Sequence, residues 1–152
     1  MTLFGPGFSA DEDVIKAVGD PMLGMFNTSQ WGHDMDNAAN KKFVAEFEKA
    51  YGRLPTLYAA QGYDAARLIE SAVRDTKGKL ENKALVQKAL EAAKFDSVRG
   101  PFKFNANHFP IQDYHLRVII KDSKGRVTNR TLNTVFKSHS DAYAASCKMP
   151  SL

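Results

Sequence analysis

The feature that most constrains this chain is a switch of hydrophobic period at Gly100-Pro101. Before it, apolar residues recur at helical spacing. After it, they alternate with polar ones, as strands require. A chain with helices first and a strand pair after must be a mixed α/β fold whose helices pack on, or away from, a sheet. Phe43, Val44, Phe47, Ala50 and Tyr51 fall on one face of a helix entered at Asp36 and closed by Gly52, with Pro55 beyond it. Thr56 caps a long second helix to about Thr76, with an apolar stripe of Tyr58, Ala65, Ala66, Ile69, Ala72 and Val73. Its small residues Ala59, Ala60, Gly62, Ala65 and Ala66 call for close packing against a neighbour. Asn82 caps a third helix that turns Leu85, Val86, Ala89, Leu90 and Ala93 inward.

Past the switch, Phe102 and Phe104 alternate with polar residues, and so do Tyr114, Leu116, Val118 and Ile120. Asp122-Ser123-Lys124-Gly125 reads as a hairpin turn, and Val127 to Phe136 as the returning strand. Asp141 to Cys147 reads as a short terminal helix. Ahead of the helices, Thr2 to Phe4 ends a short strand and Gly5-Pro6-Gly7 makes a turn. Ser9 caps a helix to about Val18 with Asp11, Glu12 and Asp13 in its first turn. Met22 to Asn27 reads as a buried strand, and Thr28 to Met35 as a loop holding Trp31, the single tryptophan.

Charge excludes some functions. The net charge of +4 invites a nucleic-acid reading, but bases alternate with acids along most of the chain. The densest basic region, Arg117 to Lys137, lies on the strand–turn–strand pattern without an aromatic stacking series, and reads as solvated surface. No apolar run approaches the ~20 residues that span a bilayer; the longest, Leu116 to Ile120, is interrupted by Arg117. The start, Met-Thr-Leu-Phe followed by Gly-Pro-Gly and acids, is not a secretory signal peptide.

Chemistry is sparse. The histidines at 33, 108, 115 and 139 pair with nothing at metal-ligand spacing; His33 with Asp34 and Asp36 reads as a polar loop and helix cap. Cys147, alone, can form neither an internal disulfide nor a thiolate cluster. No nucleophile-elbow, phosphate-loop or dinucleotide motif is present, and the acids after Gly5-Pro6-Gly7 would repel a phosphate there. Glu46, Glu48, Glu70 and Glu91 sit beside bases as solvated pairs do. The expectation is a protein that is not an enzyme and uses no cofactor or metal. What remains is a set of aromatic and polar residues beside turns, the composition of a small-ligand pocket: Phe8, Trp31, Tyr58, Gln61 and Tyr63. Phe8, Tyr58 and Tyr63 fit a core role as well as a ligand contact.

Four stretches together resemble one family: Gly24 to Trp31 (GMFNTSQW), Asn40 to Gly52 (NKKFVAEFEKAYG), Pro55 to Ala66, and Arg99 to Phe104 (RGPFKF) followed by His108 and the hairpin. In that order they resemble the C-terminal part of a type I periplasmic solute-binding protein of the leucine/isoleucine/valine-binding group, which serves ABC importers. The resemblance implies an incomplete fold of that type, the segment contributing to both lobes: residues 1–27 and 100–136 to the second, residues 36–94 to the first. It implies a small-molecule ligand, a membrane permease as partner, and a periplasmic or extracytoplasmic location. The ligand would be an amino acid or an aromatic or apolar carboxylic acid. It also implies uncovered apolar faces, hence a homo-oligomer or element-swapped dimer. The alternative is a truncated, self-associating structural segment that binds nothing. Members that grip an α-amino group carry an acid where this chain has Gly7, so Gly7 and Phe8 point away from an amino acid; Tyr58 to Gln61 match another ligand-facing region, and Trp31 lies near the hinge.

Overall fold

In the computed structural model, which describes residues 1–147, a small sheet and a helical unit share the chain. The elements run β1 (Phe4–Pro6), α1 (Glu12–Val18), β2 (Phe26–Ser29), α2 (Ala38–Tyr51), α3 (Leu57–Asp75), α4 (Lys83–Ala92), β3 (Lys103–Phe104), β4 (Pro110–Lys121) and β5 (Val127–His139). β1 pairs in parallel with β2, and β2 runs antiparallel to β4 with Asn27 opposite Arg117. β4 also pairs antiparallel with β3 and, along most of its length, with β5.

Local chemistry explains most helix boundaries. The Asn37 side chain accepts the Asn40 N–H to start α2, Thr56 accepts Ala59 N–H to start α3, and Asn82 accepts Leu85 N–H to start α4. Gly52 ends α2 at φ +66°, a left-handed conformation that disfavours side chains. Asp36, expected as the α2 cap, instead pairs with Lys41 one residue before the true cap.

Several expectations need correction. Gly5 and Pro6 lie in β1 rather than in a turn, and Ser9 sits in a 3-10 turn over Gly7–Ala10, its hydroxyl donating to the Pro6 carbonyl. α1 begins after Asp11, whose carboxylate caps nothing of its own helix. The strand expected from Met22 begins at Phe26, because Asp20–Met22 form a 3-10 turn and Gly24 adopts φ +82°. The terminal helix is a single 3-10 turn, Ala144–Ser146, with Cys147 exposed.

Two faces are turned differently from expectation. On α3 the buried residues are Leu57, Ala60, Asp64, Ser71 and Ala72, while Tyr58, Ile69 and Val73 of the expected stripe are exposed. The side that meets α2 and the Val98 segment is the covered one. On β4 the buried residues are Gln112, His115, Arg117, Val118 and Ile119. Register shifts between Gln112 and Tyr114, Tyr114 and His115, and Leu116 and Arg117 break the strict two-residue alternation.

The apolar side chains form two separate clusters. Ala10, Ile15, Met22 and Ile119 make one beneath α1 and the sheet. Trp31, Phe43, Leu57, Ala60 and Val98 make the other among the helices. Phe43 is the centre of the second, tilted against Tyr63 with ring centroids 4.7 Å apart and edge-on to Trp31 at 6.2 Å.

Candidate functional site

Between the two clusters, where the chain crosses from sheet to helices, polar groups make the joint. Arg117 is 1% exposed, in place of the solvated base expected of this region. Its Nε donates to Asn27 Oδ1 at 2.8 Å, Nη1 to the Trp31 carbonyl at 3.0 Å and Nη2 to the Gly7 carbonyl at 3.4 Å. A buried guanidinium is costly unless its donors are used. Here they bind together the turn after β1, strand β2 and the first crossing. Burial pulls Arg117 below the usual arginine value, while the charges of Glu12, Asp11 and Asp34 hold it up.

Asp11 makes the second link. Its Oδ1 accepts the Leu57 N–H at 2.8 Å, so the turn that carries Phe8 is held against the start of α3, which carries Tyr58. Burial raises the Asp11 carboxyl above its ordinary value, and the bond from Leu57 opposes that rise. Glu12 accepts from Thr128 Oγ1 and from Asn129, and Asn129 in turn accepts from Asn27. His33 Nε2 lies 2.9 Å from Thr128 Oγ1. The polar loop of His33 and Asp34 is therefore fastened to β5, where Asp34 also accepts from the Thr131 N–H at 2.7 Å.

The five residues expected at the site are thus placed unequally. Phe8 is 60% exposed and Tyr58 62% exposed, and the Asp11–Leu57 bond ties the segment that follows Phe8 to the residue that precedes Tyr58. Gln61 is exposed one turn further along α3. Gly7 is buried, and a Cβ there would stand 2.7 Å from the Thr28 carbonyl oxygen and 2.9 Å from Ser29 Cβ. The close approach of two backbones, not a φ requirement, excludes a side chain from position 7. Trp31 does not join the group. It is 1% exposed, its indole N–H donates to Asn40 Oδ1 at 2.7 Å, and it packs as a core residue. Tyr63 is likewise packed on Phe43. A concavity of about 630 Å³ lies elsewhere, between the start of α2, α3 and the Phe95–Phe102 segment, with Lys42 and Arg67 in its walls.

Sequence reasoning missed Arg117 and Asp11. The signal for Arg117 was its place inside the apolar run Leu116 to Ile120. For Asp11 there was none, because its partner lies 46 residues away. Among the described residues no group of three or more His, Cys, Asp or Glu could hold a metal ion. No described helix is long and apolar enough to cross a membrane.

Comparison with known proteins agrees with this architecture. The model of the periplasmic binding protein family matches residues 1–125. A Leu/Ile/Val-binding protein homolog from Brucella abortus is 30% identical over 140 residues, 90% of this chain and 36% of the relative. A solute-binding protein of an ABC transporter from R. palustris, solved in complex with benzoate, is 36% identical with a TM-score of 0.86, covering 98% of this chain and 39% of that one. Another, from Rhodopseudomonas palustris BisB5 in complex with 3,4-dihydroxybenzoic acid, is 29% identical with a TM-score of 0.77, over 93% of this chain and 38% of that one. The chain therefore spans well under half the length of these relatives.

Proposed function

The chain belongs to the periplasmic binding protein family, and from that premise we propose that it serves in the substrate-capture component of an ABC importer. The ligand we assign is a small aromatic or apolar carboxylic acid rather than an α-amino acid. The observation that carries this is the pair Gly7 and Phe8: no side chain fits at Gly7, while the ring of Phe8 projects from the next position. An acid at position 7, which would grip an ammonium group, has no space there. Exposed Phe8, with exposed Tyr58 and Gln61 on the helix whose start Asp11 binds, offers aromatic surface and a polar group instead. The benzoate and dihydroxybenzoate complexes of the two structural neighbours point the same way.

We assign residues 1–27 and 100–136 to one lobe and residues 36–94 to the other. The separation of the two apolar clusters supports that division, and hinge closure of two lobes is how such a pair would enclose a ligand without reacting with it. The setting is periplasmic and the partner a membrane permease. Calorimetry of the native protein with benzoate and with leucine tests the reading. Binding of benzoate and not leucine is expected; leucine binding alone overturns it.

A second reading, self-association, has its own observation. Tyr58, Ile69 and Val73 expose apolar surface along α3, and Leu132, Val135 and Phe136 do so on β5. Such faces need a cover, from the rest of a longer protein or from a second copy. Light scattering separates the two: a dimer of the 152-residue chain favours the copy, a monomer excludes it.

A further inference from the structure

Besides contacts of Arg126 with Glu48, Arg53 with Asp13 and His108 with Glu91, the two units touch at Arg99. Asp64, on α3, is buried and accepts three bonds from the crossing segment: Ser97 Oγ at 2.5 Å, Val98 N–H at 3.0 Å and Arg99 Nε at 2.9 Å. Arg99 Nη1 then donates to Oε1 of Gln112 at 2.8 Å. Gln112 belongs to β4, is buried, and donates in turn toward the Tyr114 hydroxyl at 3.3 Å. The guanidinium also lies over the Phe102 ring, 4.5 Å from its centroid. One side chain therefore touches the helical unit and the sheet at once.

Its two ends are not equivalent. On the α3 side Arg99 forms an ion pair with a carboxylate that two further donors hold in place. Withdrawing the cation would leave Asp64 charged and buried, which is the costly way to break the contact. On the side of β4 there are one hydrogen bond to a neutral amide, which water can replace at little cost, and the uncharged face of Phe102. A rotation between the two units would part at Gln112 and leave Arg99 with Asp64.

We infer that the Arg99–Gln112 bond is a releasable catch of the hinge, and that Arg99 is a positioning residue that helps set how long the lobes stay closed without touching ligand. The inference rests on the two-lobe reading above. We take the arrangement in which this bond is formed as the closed one, because the fold matches over 98% of the chain a neighbour solved with benzoate bound.

The test strengthens and weakens the catch at the same atom, in the native protein. Gln112→Glu turns the amide bond into a charge-assisted one; Gln112→Leu removes it at similar volume. With benzoate as the probe, Gln112→Glu should release it about three- to tenfold more slowly, the effect of one strengthened bond, and Gln112→Leu faster by a similar factor. In ligand-free protein, small-angle scattering should give a smaller radius of gyration for Gln112→Glu than for Gln112→Leu. A purely structural role would change melting temperature while leaving release and radius unchanged, or would move both variants the same way; either result overturns the catch. If benzoate binds none of the three proteins, the assigned ligand is wrong, and the scattering comparison still decides the catch.

Discussion

Asn40 sits entirely out of solvent with its carboxamide oxygen 2.7 Å from the indole nitrogen of Trp31. Its amide nitrogen faces the carbonyls of Gly32, His33 and Met35 at 3.1–3.2 Å. One residue of the first turn of α2 thus satisfies the crossing segment that enters the helix. Replacing it by leucine removes every one of these partners while keeping the branched shape. Buried groups left without partners cost about 1–3 kcal/mol each at the outset, less what water recovers. Asn40→Leu should therefore destabilise the chain by about 2–4 kcal/mol in urea unfolding. A change below ~0.5 kcal/mol would mean that the crossing segment is not organised by Asn40.

Gly7 gives a prediction of a different kind, because space and not hydrogen bonding is at stake. A methyl group there must displace the Thr28 carbonyl or the Ser29 side chain, both part of β2. Overpacking of this sort costs about 1–3 kcal/mol. Gly7→Ala should lower the melting temperature, and Gly7→Glu should lower it further without conferring leucine binding. A Gly7→Glu variant that is as stable as wild type and binds leucine would show that β1 and β2 part easily, and would remove the steric basis for assigning a carboxylic acid.

What could be read from the sequence, and what could not, divides by the distance of the partner. Thr56, Asn82 and Gly52 were legible as helix ends because each bonds within its own turn. The Asp122–Gly125 hairpin was legible for the same reason: Asp122 accepts from Lys124 and Arg126 a few residues on. The stripe on α3 was legible as a stripe, but the pattern does not say which face finds a cover, and the covered one carries Asp64 and Ala60 instead. Arg117 was misread because its partners, Asn27 and the Trp31 carbonyl, lie 90 and 86 residues away. That Trp31, a loop residue near the hinge, is buried was not legible, because Asn40, which takes up its polar edge, looks like an ordinary helix residue. At the candidate site, Phe8, Tyr58 and Gln61 were named from composition beside turns; the Asp11–Leu57 bond that joins their elements was not visible at all.

His115 supplies a pH dependence. Its Nδ1 lies 3.1 Å from Thr134 Oγ1, and its Nε2 is buried without a hydrogen-bond partner among the described residues. Burial lowers the imidazole below its ordinary value and Arg117 lowers it too, while Asp113 and Asp34 oppose the shift. A histidine depressed in the folded state favours folding above its unfolded value, near 6.5, and loses that contribution as pH falls through the folded value. Stability measured by urea should therefore fall between pH 7 and pH 5. His115→Gln, which has no charge to gain, should flatten that part of the profile. Parallel profiles for the two proteins would assign the slope to other groups.

Phe8 and Trp31 separate ligand contact from core packing. Both were candidates on sequence; one is 60% exposed and the other is 1% exposed. If Phe8 is a wall of the site, its ring is buried only when ligand is present, so Phe8→Ala should weaken benzoate binding by ~1–3 kcal/mol while leaving the melting temperature nearly unchanged. Trp31→Phe should do the opposite. It strands the Asn40 oxygen and leaves a gap beside Phe43, so it should cost about 2–4 kcal/mol of stability. At a temperature where it stays folded, its benzoate affinity should stay within about twofold of wild type. Calorimetry beside thermal melts reads both quantities. A Trp31→Phe variant that melts normally but loses benzoate would return Trp31 to the ligand site. A Phe8→Ala variant that melts early but binds normally would make Phe8 a packing residue, and the case for an aromatic acid would then rest on Tyr58 and Gln61 alone.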